Sequence, residues 1–119
     1  MSEGRALHLI LSTVADREQA RELAEALLRE KLAACVSSVP GARSFYEWKG
    51  EFCDEEEQVL LIKTAWADAS EQERIFARLA KLHPYEEPEL VAFRVDAVSE
   101  GYASWALAAL APRSKEDPR

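Results

Sequence analysis

Phe45-Tyr46-Glu47-Trp48-Lys49-Gly50-Glu51-Phe52 sits at the turn of a hairpin whose reading decides the fold. Upstream, Ala33 to Trp48 reads as one long strand, because Cys35-Val36 and Phe45-Tyr46-Glu47-Trp48 are rich in residues that suit a pleated surface. Pro40-Gly41 interrupts it and predicts a bulge or kink, since proline lacks a ladder donor and glycine weakens a strand interior. Lys49-Gly50-Glu51 supplies the turn. The second arm runs from Phe52 through Gln58-Val59-Leu60-Leu61-Ile62-Lys63-Thr64 to Trp66. Both arms exceed the usual strand of about 5–6 residues, so the tip must project beyond whatever covers a compact sheet. Edges bearing Phe45, Tyr46 and Trp48 invite pairing with another copy of the chain, and a closed homo-oligomer is expected.

Outward from the hairpin, Leu7 to Val14 reads as a first strand, nearly continuous in apolar character and so central in its sheet. Asp16 caps a helix, with Gln19 completing an Asp variant of the capping box. Ala20, Leu23, Ala24, Leu27 and Leu28 form one apolar stripe, and Arg17, Glu18, Arg21, Glu22, Glu25 and Arg29 take the other face, so this helix covers a sheet. Beyond the hairpin, Ser70-Glu71-Gln72-Glu73 predicts a second capping box, opening a helix with Ile75, Phe76, Leu79 and Leu82 on its apolar side. Leu90 to Val95 reads as a fourth strand with Val91, Phe93 and Val95 inward and Arg94 and Asp96 outward. Ser99 caps a last helix carrying Tyr102, Trp105, Leu107 and Leu110. Residues 112–119 are expected to be a disordered polar tail, leaving 1–111 as a single domain. Strand, helix, strand, strand, helix, strand, with an added helix, is the βαββαβ pattern of the α+β ferredoxin-like architecture.

A chain of 119 residues can bury roughly two-thirds of its unfolded surface in one core. Its 48% hydrophobic and 31% charged residues are globular values. The net charge of −7 argues against nucleic acid, which requires a basic stripe, and suits cations. Cys35 and Cys53 form no CxxC pair and no signal segment opens the chain, so a reduced, cytoplasmic protein is expected. No apolar run approaches the ~20 residues that span a bilayer, so no membrane is expected as a partner.

The densest chemistry lies in His83-Pro84-Tyr85-Glu86-Glu87-Pro88-Glu89, a stiff corner between the second helix and the fourth strand. His83 there either caps helix carbonyls or serves as a ligand, and the glutamates are either solvent-facing charges or oxygen donors. Other functions common on this architecture leave no trace. A soft-metal chaperone needs a CxxC loop after the first strand, where this chain reads Ser12-Thr13-Val14-Ala15. An acylphosphatase-like site needs an asparagine, and the sequence has none. An RNA-recognition module needs a basic surface. With no nucleophile elbow, no phosphate-cradling loop among 4 glycines and no HExxH, the expectation is that the protein is not an enzyme.

Leu32-Ala33-Ala34-Cys35-Val36, then Val39-Pro40-Gly41-Ala42-Arg43-Ser44-Phe45-Tyr46-Glu47-Trp48-Lys49-Gly50-Glu51, then Leu61-Ile62-Lys63-Thr64, then His83-Pro84-Tyr85 with Pro88-Glu89, together resemble the CutA family of divalent-cation tolerance proteins. The resemblance extends from the first strand to Leu110. It implies a tight homotrimer joined through its long hairpins, similar in shape to the PII signalling proteins, and a role in tolerance of copper and other divalent cations. It places metal ligands at Ser12, Leu82 and His83, of which His83 alone carries a ligating imidazole. The candidate ligands for Cu or Zn are therefore His83, Glu86 and Glu89, with Glu87 nearby. Cys35, in the family's Ala-Ala-Cys motif, is either a packing residue or a further soft ligand. Cys53 beside Asp54-Glu55-Glu56-Glu57 is either a loose metal site near the hairpin tip or part of a solvated charge run. Lys63 either snorkels to the surface or faces a subunit-interface cleft with Tyr85 and Glu89, and the family's Lys-Thr pattern favours the cleft. Tyr46 and Trp48 are expected to pack at that interface. The alternative function is a PII-like regulatory or scaffold module whose clefts bind a small molecule or protein partner.

Overall fold

A computed structural model describes residues 4–112, so the predicted tail lies outside the described residues from 113 onward. The elements are β1 (Ala6–Val14), α1 (Arg17–Arg29), β2 (Cys35–Trp48), β3 (Glu51–Trp66), α2 (Ala69–Leu82), β4 (Val91–Arg94) and α3 (Glu100–Leu110). Four strands form one antiparallel sheet in the order β2-β3-β1-β4, the arrangement that a split βαβ chain order generates. The predicted α+β class and the long β2-β3 hairpin are both present.

Lys49 and Gly50 close the hairpin with φ of 53° and 83°, the two positive angles that match the twist of the flanking strands. Glu51 already pairs with Trp48, so the turn is one residue shorter than the sequence suggests. The arms carry the molecule to a longest extent of 50 Å against 32 and 25 Å across. At Pro40-Gly41 the ladder steps from Val39↔Val59 to Ala42↔Glu57, the predicted bulge, with Gly41 at φ 90°. β2 advances by an odd number of residues while β3 advances by two. Side chains of β2 therefore exchange faces at the bulge: Val39 shares a face with Val59 and Leu61, and beyond it Ala42, Ser44 and Tyr46 do.

On one face, the alternate residues Ile10 and Val14 of β1 and Leu60 and Ile62 of β3 meet Ala20, Leu23 and Leu27 of α1 and Ile75 and Leu79 of α2. Each large aliphatic side chain buried this way is worth about 1.5–3 kcal/mol. Asp16 Oδ1 accepts from the Gln19 N–H at 2.8 Å, and Gln19 Oε1 accepts from the Ala15 N–H at 2.9 Å, as the sequence predicts. The cap of α2 is a correction. Asp68 accepts from the Glu71 N–H at 2.9 Å and Glu71 Oε1 accepts from the Ala67 N–H at 2.8 Å, so the box is Asp68 to Glu71 and Ser70 already lies in the helix. Ser99 occupies the N-cap of α3 without a side-chain hydrogen bond.

The other face is covered only at one end, where Ala106 and Leu110 of α3 pack on Ala34 and Ala65. Here the fourth strand departs from expectation. Ala92 turns toward the helices opposite Ile10, while Val91 and Phe93, opposite Leu11 and Leu9, lie on the uncovered face and are 42% and 52% exposed. The pattern of β4 was apolar on that side because the uncovered face is itself apolar, not because it meets the helices.

Candidate functional site

The corner after α2 is fixed by backbone chemistry. His83 donates its N–H to the Leu79 carbonyl at 2.9 Å and turns extended at ψ 140°, as a residue before proline must. This folds its imidazole back under the end of β1. His83 is 6% exposed and both ring nitrogens have partners. Nδ1 lies 3.0 Å from the Tyr85 N–H, which can only donate, so Nδ1 bears no proton. Nε2 lies 3.0 Å from the Thr13 carbonyl, which can only accept, so Nε2 carries the proton, with Ser12 Oγ at 3.1 Å. Geometry thus selects one neutral tautomer. Burial pushes the His83 pKa below its ordinary value, against smaller opposing effects of the Thr13 hydrogen bond and the Glu57 charge. No lone pair on the ring remains for a metal unless one of these bonds opens. Ser12 and His83, two of the positions at which the resemblance places ligands, do meet, while Leu82 packs against the core.

Next in the chain, Tyr85 lies edge-on to His83 with ring centroids 5.0 Å apart. Its hydroxyl donates to Glu57 Oε2 at 2.6 Å, a charge-assisted bond that ties the corner to β3. Burial, and then this bond, raises the Tyr85 pKa well beyond the ordinary phenol value. Glu57 is 5% exposed, an unusual setting for a carboxylate. Around this pair opens a cleft of about 740 Å³, lined by Thr13 of β1, Ser44, Tyr46 and Trp48 of β2, Glu55 and Glu57 of β3, and Tyr85, Glu86, Glu87 and Glu89 of the corner. Lys49 reaches across its rim, with Nζ 5.7 Å from the Trp48 ring centroid and 3.6 Å from Glu86 Oε1. That ion pair is exposed and contributes little to stability.

The acidic run of β3 divides by strand period. Arg43 pairs with Asp54 at 2.7 Å and touches Glu56 at 4.0 Å, whereas Glu55 and Glu57 share a face with Ser44 and Ala42. Cys53 sits opposite Tyr46, its thiol 3.7 Å from the Glu51 carbonyl. The cleft brings together Tyr46, Trp48, Tyr85, Glu86 and Glu89 of the expected residues. It does not include Lys63 or Cys35. Those two are half-buried cross-strand neighbours on the sheet face that α3 partly covers, where Tyr102 of α3 lies beside Cys35, with Lys63 Nζ 3.7 Å from Cys35 Sγ and 2.5 Å from Ser37 Oγ. Within one chain, Lys63 does not line the cleft that holds Tyr85 and Glu89. Sequence reasoning read Glu57 only as part of the acidic run beside Cys53 and did not foresee its burial against Tyr85. Its signal was the period of two, which places it on the face of Val59 and Leu61. Among the described residues, no group of three or more His, Cys, Asp and Glu is arranged to hold a metal ion.

These features define a ferredoxin-like α+β protein with an acid-lined, aromatic cleft where a stiff corner meets a projecting hairpin. The family model for the CutA1 divalent ion tolerance protein matches residues 8–109, and the chain belongs to that family. The divalent-cation tolerance protein CutA of Thermus thermophilus is 40% identical over 97 residues, 82% of this chain and 91% of that protein. Its counterpart in Escherichia coli is 38% identical over 109 residues, 92% and 95% of the two chains. The crystal structure of CutA from Xylella fastidiosa, 37% identical, is similar with a TM-score of 0.78 and covers 89% of this chain and 99% of that one.

Proposed function

We propose that this divalent-cation tolerance chain works as a cytoplasmic homotrimer that binds metal ions without catalysing a reaction, using the carboxylates of the cleft rather than the imidazole of His83. The observation that carries this reading is the convergence of Glu55 and Glu57 from β3 with Glu86, Glu87 and Glu89 from the corner on one cavity, in a chain of net charge −7. Carboxylates gathered around one cavity give it a field that attracts cations. An oxygen donor set binds Cu(II) or Zn(II) without the selectivity of thiolate or imidazole sites, which suits tolerance of several divalent ions better than delivery of one. The trimer is supported by the apolar face that α3 leaves uncovered and by the exposed aromatic residues of the hairpin, Phe45 at 62% and Phe52 at 70%. The cytoplasm is supported by Cys35 and Cys53, both free thiols. No helix among the described residues is long and apolar enough to cross a membrane.

Calorimetric titration of Cu(II), Zn(II) and Mg(II) into tag-free protein tests this. Glu57→Gln and Glu86→Gln are each expected to weaken binding by about tenfold, a change equivalent to about 1.4 kcal/mol. Affinity that ignores both substitutions but vanishes in His83→Gln would return the site to the imidazole. A second reading is favoured by Tyr46 and Trp48, 42% and 41% exposed on the cleft wall, which an ion does not need. They suit an organic ligand or a protein partner. A rise in melting temperature with small molecules in metal-free protein would support that reading.

A further inference from the structure

A second cavity, of about 310 Å³, shares no residue with the acidic cleft and has the opposite charge. Its wall carries three cations, Arg5 ahead of β1, Lys31 after α1 and Arg74 on α2, and two carboxylates, Glu30 and Glu71. Glu30 is already neutralised from outside the wall. Arg78 grips it with Nε to Oε1 and Nη2 to Oε2, both at 2.7 Å, and this bidentate hydrogen bonding holds the Glu30 carboxyl below its ordinary pKa. That leaves Glu71, which accepts from the Ala67 N–H, against three cations.

Two details mark these cations as placed rather than scattered. Arg5 Nε is buried and has no hydrogen-bond partner among the described residues. Buried guanidinium N–H groups are normally satisfied, so an acceptor outside the described residues is called for. Lys31 has φ of 61° at the end of α1, where its N–H bonds to the Leu28 carbonyl and the Leu32 N–H to the Leu27 carbonyl. Glycine is the usual occupant of that left-handed position. A lysine there bears a backbone cost and brings an ammonium to the wall, where Nζ makes one long bond, 3.4 Å, to the Ala109 carbonyl and keeps two further N–H groups.

We propose that this cavity is a binding site for a small phosphate-type oxyanion, received by the guanidinium groups of Arg5 and Arg74 and the ammonium of Lys31. A planar guanidinium fork matches two phosphate oxygens, and an ammonium adds a point charge. The cavity admits inorganic phosphate or pyrophosphate. Glu71 opposes the anion and sets a limit on its affinity.

The test is a titration of inorganic phosphate and pyrophosphate into the full chain at fixed low ionic strength, followed through the backbone amide resonances of residues 5, 31 and 74. Saturable shifts are expected. Arg5→Gln and Arg74→Gln should each weaken binding about tenfold, the loss of one charge-assisted pair. Glu71→Gln should tighten it, because the amide keeps the acceptor for Ala67 and loses the charge. Lys49→Gln, at the rim of the other cleft, should leave phosphate binding unchanged. Arg74 is exposed, so its variant tests the site even if Arg5→Gln perturbs folding. Shifts that never saturate, affinity indifferent to both arginine substitutions, or equal weakening by Lys49→Gln would each overturn the site.

Discussion

At the scale of single residues, the neutral tautomer of His83 makes stability depend on pH in a defined window. Its native pKa lies below the ordinary value of 6.5, so in that interval the unfolded chain binds more protons than the folded one. The contribution is complete above about pH 6.5 and is lost as pH falls toward the depressed native value. Urea midpoints measured in steps from about pH 8 to pH 5 should decline through this interval, and His83→Gln should flatten the decline. Glu30, with its lowered pKa, acts in a separate and more acidic window, losing its contribution as pH drops below the ordinary carboxylate value of 4.5. Tyr85→Phe removes the hydroxyl donor to Glu57 and leaves a nearly buried carboxylate short of a partner. It should lower stability by about 1–3 kcal/mol in equilibrium denaturation.

At the scale of elements, caps and turns are discrete enough to be checked one by one. Asp68→Ala should cost about 1 kcal/mol by loss of the helix cap, whereas Ser70→Ala should stay within about 0.5 kcal/mol. Equal effects would contradict the cap assigned here. The two candidates were indistinguishable in sequence because Asp68-x-x-Glu71 and Ser70-x-x-Glu73 both satisfy the capping pattern, and only the chain direction at Ala67 decides between them. Strand periods and turn chemistry made β1, both arms of the hairpin and the Pro40-Gly41 bulge legible to within two residues. The orientation of β4 was not legible, because Val91 and Phe93 have the same pattern whether a helix or another surface meets them. The corner residues of the cleft were legible from their density of charge and aromatic groups. Their bond to Glu57 was not, since it spans 28 residues and depends on how far the hairpin lies along β1.

At the scale of the whole molecule, the uncovered sheet face and the projecting hairpin bear on assembly. Phe93→Glu together with Leu61→Glu places two charges on that face, where burial against another subunit would desolvate them. Sedimentation velocity should show the trimer proposed for the parent chain giving way to a monomer that keeps its helical circular dichroism. An unchanged sedimentation coefficient would remove this face from the interface. The bulge at Pro40-Gly41 carries a further consequence for how such an arm can change in length. Between it and the tip, inserting or deleting one residue in β2 would turn the face carrying Ser44, Tyr46 and Trp48 away from the cleft and replace it with the face carrying Arg43 and Glu47. Deleting two residues from each arm, however, would shorten the reach and preserve every facing. Viable insertions and deletions in this arm therefore come in even steps, and an odd one survives only if a second offsets it between the bulge and Lys49.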